Sequence, residues 1–251
     1  MIIKHPEKED IPGLRLLWQE AFGDSDSFLD GFFATGYSPD RCRMILADRR
    51  PVAALYWFDC RWQDQKLAYI YAVATDKAYR GRGLCSRLME DTHRLLQRRG
   101  YGAAVLVPGS PGLFTLYEKL GYKTFCPMEM TVLSPEGAAT AAKKITGPEY
   151  NRLRRQLLPE GGILQEGATT DYLAAFTDFY AGEDFLACVS REDRTLYFQE
   201  YLGDPEKAAA LIKALDADAG HLRLPGGKDY AMYYSLGSID LSGAYFGIAL
   251  G

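Results

Sequence analysis

The sequence predicts an α+β fold. Residues 1–137 read as a mixed, mostly antiparallel central sheet flanked by helices, and residues 138–251 as a smaller α+β domain. Three observations lead there. Arg43–Ala47, Val52–Cys60 and Leu67–Thr75 follow one another as runs rich in β-branched and aromatic residues, joined by connections short enough for hairpins. A long amphipathic segment, Gly83–Arg99, then leads through Gly100 into the short apolar run Ala103–Val107. After Ser134-Pro135-Glu136-Gly137 the periodicity changes.

The elements follow in order. Ile2-Ile3-Lys4 reads as an opening strand. Asp10 has the place of an N-cap, Pro12 sits in the first turn, and Leu14, Leu17, Trp18, Ala21 and Phe22 recur at helical spacing until Gly23. A second short helix carries Phe28, Leu29, Phe32 and Phe33, and Gly36-Tyr37-Ser38-Pro39 breaks it. In the amphipathic helix Leu84, Leu88, Leu95 and Leu96 form the apolar stripe. A helix between two strands of one sheet makes Ala103–Val107 a crossover neighbour, parallel to the strand before it. Pro111–Leu120 reads as a helix ended by Gly121, and Tyr122–Phe125 and Met128–Leu133 as strands. Helical segments are expected to dominate from Pro148 to Leu215, with strands returning at His221–Leu224, Tyr230–Leu236 and Ala244–Leu250.

The composition excludes several function classes. Of 251 residues, 47% are apolar and 25% charged, which suits a packed globular core. A net charge of −4 argues against a nucleic-acid partner, which needs a clustered basic surface. No apolar run is long enough to span a bilayer and the first residues lack a signal-peptide pattern, so no membrane partner is expected and a cytoplasmic location is. Cys42, Cys60, Cys85, Cys126 and Cys188 are scattered and read as free thiols of a reducing compartment. His5, His93 and His221 show no metal-ligand spacing, so no metal is expected.

The chemistry concentrates after Leu67–Thr75. Asp76-Lys77-Ala78-Tyr79 leads into Arg80-Gly81-Arg82-Gly83-Leu84-Cys85-Ser86, which opens the amphipathic helix. The first N–H groups of a helix have no partner within it, and the helix dipole adds partial positive charge there. Glycines let a ligand approach the main chain, and Arg80 and Arg82 add charge, so the loop suits a pyrophosphate. It is not GxxxxGK[ST], and Ser86 stands where GxGxxG would place its last glycine.

These residues resemble the pyrophosphate loop of the GCN5-related N-acetyltransferase (GNAT) superfamily, Gln/Arg-x-x-Gly-x-Gly/Ala. Cys85 is the departure, standing where the pattern has glycine or alanine. A helix N-terminus is expected to lower the pKa of its thiol, and we read Cys85 as a packing residue rather than a nucleophile. The resemblance implies acetyl-CoA as cosubstrate, with pyrophosphate bound by Arg80–Ser86 and the pantetheine arm by the backbone of Val73, Ala74 and Thr75. Leu113-Phe114-Thr115-Leu116-Tyr117-Glu118-Lys119-Leu120-Gly121-Tyr122 is similar to the family's second signature. Its tyrosine protonates the leaving thiolate, a role that falls on Tyr117. The asparagine found before this helix in many members is absent; Ser110 is the polar residue nearby.

The implied function is transfer of an acetyl group to a primary amine of a small molecule or peptide, by a monomer or homodimer. A non-catalytic acyl-CoA-binding regulatory module is the alternative. The general base is left open among Glu20, Asp24, Asp26 and Asp30, water, and the carboxylate of Gly251. The C-terminal part loosely resembles the accessory domain of two-domain members of the enhanced-intracellular-survival type and reads as a possible degenerate GNAT-like unit.

Overall fold

The computed structural model describes residues 1–250. The chain forms two compact units. One contains Met1–Lys123 and Met232–Asp240; the other contains Thr124–Ala231 and the residues from Leu241 onward. This division does not coincide with the change of periodicity near residue 137.

The first unit begins with β1 (Ile2–Lys4), α1 (Ile11–Phe22) and α2 (Asp26–Gly31). Asp10 precedes α1 but makes no cap to it; its carboxylate accepts from the Glu7 backbone N–H in the preceding turn. Gly23 ends α1 with φ 79°, a left-handed position that glycine occupies without strain. Then come β2 (Cys42–Ala47), β3 (Arg50–Trp62) and β4 (Gln65–Thr75), an antiparallel meander with tighter turns than the sequence suggested. Asp48 and Arg49 both take positive φ, 49° and 63°, as a two-residue hairpin turn requires. Helix α3 (Leu84–Arg98) crosses to β5 (Tyr101–Leu106), which runs parallel to β4 as expected, and α4 (Pro111–Lys119) follows.

Successive side chains of β3 point to opposite faces, and both faces are buried. Tyr56 and Phe58 meet the rings of Trp18 and Phe32 from the α1–α2 side. Leu55 and Trp57 join the core beneath α3 and α4, with Ile70, Leu84, Leu88, Leu96, Leu106 and Tyr117. Leu88 and Leu96 are wholly buried, each such side chain contributing about 1.5–3 kcal/mol of apolar burial.

The second unit holds most of the remaining chain. Its strands are β6 (Lys123–Phe125, straddling the division), β7 (Met128–Leu133), β8 (Lys143–Ile145), β9 (Leu164–Gln165), β10 (Asp178–Ala181), β11 (Leu186–Glu192), β12 (Thr195–Leu202) and β13 (Ala219–Pro225). Its helices are α5 (Gly147–Leu157), α6 (Ala168–Leu173) and α7 (Pro205–Ala214). Six of the strands form a sheet in the order β7-β13-β12-β11-β10-β8. Ala187 and Val189 face a core that includes Leu211 and Ile212 of α7. Helical segments therefore do not dominate Pro148–Leu215: four strands, β9 to β12, lie within it, the two longest built on Leu186, Val189, Leu196, Phe198 and Tyr201.

Two expectations near the C-terminus need correction. The strand Ala231–Ser235, here β14, places its last four residues beside β5 in the sheet of the first unit, pairing Met232 with Leu106 and Ser235 with Ala103. The run Ala244–Leu250 is not a regular strand. It is a buried tail, held where the Gln165 side chain donates to the Ile248 carbonyl (2.6 Å) and accepts from its N–H (3.1 Å). All five cysteines are free thiols. Among the described residues, no helix is long and apolar enough to cross a membrane.

Candidate active site

The site begins with an irregularity in β4. Ala54 pairs with Ala74 and Tyr56 with Tyr71, so Ala72 and Val73 together face the single residue Leu55. This is a bulge, and Ala72 takes φ 48° to make it. The parallel pairing of β4 with β5 covers Lys66–Tyr69 alone, ending at Tyr69 and Val105. Among the described residues, no strand pairs with Val73, Ala74 or Thr75 on the edge of β4 that faces away from β3. Backbone groups of this stretch that point away from β3 face where the resemblance placed the pantetheine arm, although the Thr75 carbonyl already accepts from Arg80.

The loop that follows is braced from below. The Asp76 carboxylate accepts from the Ala78 N–H (2.8 Å) and pairs with Arg50 (2.9 Å). The guanidinium groups of Arg50 and Arg82 both lie over the Tyr79 ring, 5.5 and 5.0 Å from its centroid. Arg80 donates to the Thr75 carbonyl and Arg82 to the Ala78 carbonyl, each at 3.0 Å. A guanidinium has five N–H donors, so each arginine keeps donors for a ligand.

Gly81 and Gly83 have φ 73° and 71°, and a Cβ built on either meets no atom within 4 Å. The cradle is open and its two turns need glycine. Among the described residues no carbonyl accepts from the N–H of Gly81, Arg82 or Gly83. Leu84, Cys85 and Ser86 form the first turn of α3, with Leu84 buried against the core and Ser86 partly exposed. A helix terminus by itself offers an anion about 0.3–1 kcal/mol. The loop combines these free N–H groups with two arginines, the donor set that an anion such as a diphosphate requires.

Tyr117 lies in the core beneath α3 and α4, 6% exposed. Val73 and Cys85 pack against the same cluster. Burial, with Cys85 as a lesser influence, pushes the Tyr117 phenol well above its ordinary range. It therefore stays protonated at neutral pH and is suited to donate a proton rather than accept one. The expected lowering of the Cys85 thiol is overturned: burial pushes it up. Desolvation of the thiolate outweighs the helix terminus, and Cys85 packs against the core, as its reading as a packing residue required.

The acidic candidates for a base are engaged elsewhere. Asp24 accepts from Trp18 Nε1 (2.7 Å), and Arg15 holds Asp26 (3.6 Å) and Asp30 (2.8 Å). Glu20 accepts from the backbone N–H of Lys77 at the start of the loop (3.3 Å). Gly251 lies outside the described residues. Ser110 precedes α4, where its side chain makes no cap.

Sequence reasoning missed the braces. Asp76 carried a legible signal, an acidic residue before a short turn. Arg50 carried none, because its contacts with Asp76 and Tyr79 join segments far apart in the chain.

The family model of the acetyltransferase (GNAT) domain matches residues 2–125. The chain therefore carries a GNAT acetyltransferase domain over these residues. It is an acetyltransferase by family, and its general chemistry is acyl transfer. No curated protein matches the sequence. Among solved structures, a GCN5-related N-acetyltransferase from Anabaena variabilis superposes with TM-score 0.72 at 16% identity, over 94% of this chain and 73% of that one. Eis1 from Mycobacterium abscessus gives TM-score 0.67 at 11% identity, over 94% and 74%. A putative acetyltransferase from Pyrococcus horikoshii gives TM-score 0.64 at 16% identity, over 93% and 89%. At such identities these likenesses speak to the fold. They extend over nearly the whole chain, so the two-unit GNAT architecture is shared with other proteins, the mycobacterial Eis1 included.

Proposed function

We propose that this GNAT protein transfers an acetyl group from acetyl-CoA to a primary amine of a small molecule or peptide. The observation that carries the reading is the place where β4 parts from β5. There an unpaired strand edge runs directly into an open loop of two left-handed glycines and two arginines. A diphosphate ester with a long amide-bearing arm matches that sequence of groups. The Gly81–Gly83 N–H groups, the first turn of α3, Arg80 and Arg82 hold the diphosphate. Val73, Ala74 and Thr75 offer the arm backbone partners.

In the reaction the amine nitrogen attacks the thioester carbonyl carbon and the carbon–sulfur bond breaks. The Tyr117 O–H proton passes to the departing thiolate, and the phenolate regains a proton from the new ammonium through water. Burial keeps the phenol protonated in the resting state; it also makes the phenolate costly, so the ammonium proton must return to it promptly. Since the acids of α1 and α2 are engaged, water is the simplest route for the amine proton.

The decisive experiment is Tyr117→Phe, assayed by CoA release with a panel of amines. Turnover should fall by about 10²–10⁴-fold, the span of one acid–base group, with acetyl-CoA affinity nearly unchanged. Wild-type protein that binds acetyl-CoA and turns over no amine in the panel would favour the regulatory-module reading instead.

A further inference from the structure

Behind Tyr117 lies a buried polar cluster that the reaction as described does not use. The Tyr122 ring meets that of Tyr117 edge-on, with centroids 5.6 Å apart and planes at 61°. The Tyr122 N–H also donates to the Tyr117 carbonyl (3.0 Å). At its other end the Tyr122 hydroxyl lies 2.8 Å from His93 Nε2 of α3. The imidazole is stacked in turn on Tyr234 of β14, at 4.1 Å and 9°. A Cβ on Gly121 would sit 3.1 Å from the Tyr234 ring, so the turn carrying Tyr122 is closely confined.

We propose that Tyr122 and His93 are positioning residues for Tyr117, an inference that rests on the proton-donor role given to Tyr117 above. The backbone of Tyr122 is tied to that of Tyr117, its ring braces the Tyr117 ring, and its hydroxyl is pinned by an imidazole. Packing alone does not call for this arrangement. Phenylalanine fills the volume of Tyr122, and burying a hydroxyl and an imidazole costs desolvation that an apolar pair avoids. The hydroxyl–imidazole bond instead fixes the angle at which Tyr122 meets its neighbour. His93 is also on the helix whose first turn makes the anion cradle. Nine positions separate it from Leu84, about 14 Å along the axis. One rigid helix thus sets both the cradle and the brace of the proton donor. Burial holds His93 low, at about 4, so the brace is uncharged at neutral pH and leaves the Tyr117 proton unperturbed by a nearby cation.

The test is a double-mutant cycle read in kcat and in KM for acetyl-CoA. Tyr122→Phe should lower kcat roughly tenfold, a loss smaller than that of removing the acid itself, with KM unchanged. In a Tyr117→Phe background the same change should have almost no effect, because no phenol remains to be positioned. His93→Gln, which can still bond the hydroxyl, should recover most of the activity that His93→Leu loses. Equal losses from Tyr122→Phe in both backgrounds would reduce the pair to a structural role and overturn the proposal, as would no loss in either. If Tyr117→Phe alone has full activity, the proton-donor assignment fails and this inference with it, a result separate from that of Tyr122→Phe. Melting curves of each variant show whether a null result reflects unfolding, and the His93→Gln and His93→Leu comparison then decides the matter in folded protein.

Discussion

Arg154 and Glu200 form a two-pronged ion pair inside the second unit, with neither side chain exposed. Arg154 Nε lies 2.6 Å from Glu200 Oε2 and its Nη2 2.8 Å from Oε1. The Tyr150 hydroxyl donates to the same carboxylate (2.6 Å). Burial alone lowers the pKa of a guanidinium; here the charge and hydrogen bonds of Glu200 more than offset it, and the net shift is upward. Removing one partner strands the other in the core. Glu200→Gln should therefore cost about 3–5 kcal/mol of stability, measured by urea denaturation. The double change Arg154→Met with Glu200→Leu should cost less than the single one, because it leaves no uncompensated charge. A single-variant loss below about 1 kcal/mol would mean that water reaches the pair.

The pH dependence of the first unit should follow His93. Its folded pKa of about 4 lies below the ordinary 6.5 because burial penalises the charged ring. Between these values the unfolded chain binds the proton more readily than the folded one. The contribution is therefore whole above pH 6.5 and is lost as pH falls toward 4. Its size is about 3 kcal/mol. Thermal unfolding of the wild type and of His93→Gln from pH 7 to 4 checks this. The two curves should converge toward acid, the variant lacking the imidazole's share of the slope.

Gly83→Glu should abolish acetyl-CoA binding, as read by calorimetry. The position has φ 71°, where a side chain is strained, and it faces open space at the cradle. Strain of about 1–2 kcal/mol would be compounded by a carboxylate placed against a diphosphate. Gly23→Ala, at a left-handed turn of φ 79° outside the cradle, should leave affinity unaltered. Unchanged binding by the Gly83 variant would mean that the loop is not the anion site.

A fragment of residues 1–137 should not give a stable first unit. Without β14 the edge of β5 is bare and the core loses Met232 and Leu236. The fragment also loses the bond from Gln97 to the Leu236 carbonyl (2.9 Å). Size-exclusion chromatography and circular dichroism should find it aggregated or poorly ordered, whereas the full chain should elute as a single folded species. A soluble, folded fragment would show that β14 is dispensable.

What was legible in the sequence was local. The Arg80–Ser86 loop, the α3 stripe, the meander and Tyr117 announced themselves because turn chemistry, helical spacing and strand composition act over a few residues. The strands β11 and β12 had the same kind of signal, in Val189, Phe198 and Tyr201, and were lost beside the alanine-rich helix α7.

The sequence by itself made the GNAT domain and the Arg80–Ser86 loop legible and singled out Tyr117 as the residue proposed to donate the proton, since such a loop is built from consecutive backbone groups and glycines no other residue replaces. Tertiary structure alone decided three other things. It put β14 beside β5, because strand pairing is indifferent to chain separation. It raised the Cys85 thiol instead of lowering it, because burial outweighs a helix terminus. And it joined His93 to Tyr122, 29 positions apart, because only packing reveals which buried polar groups must satisfy each other.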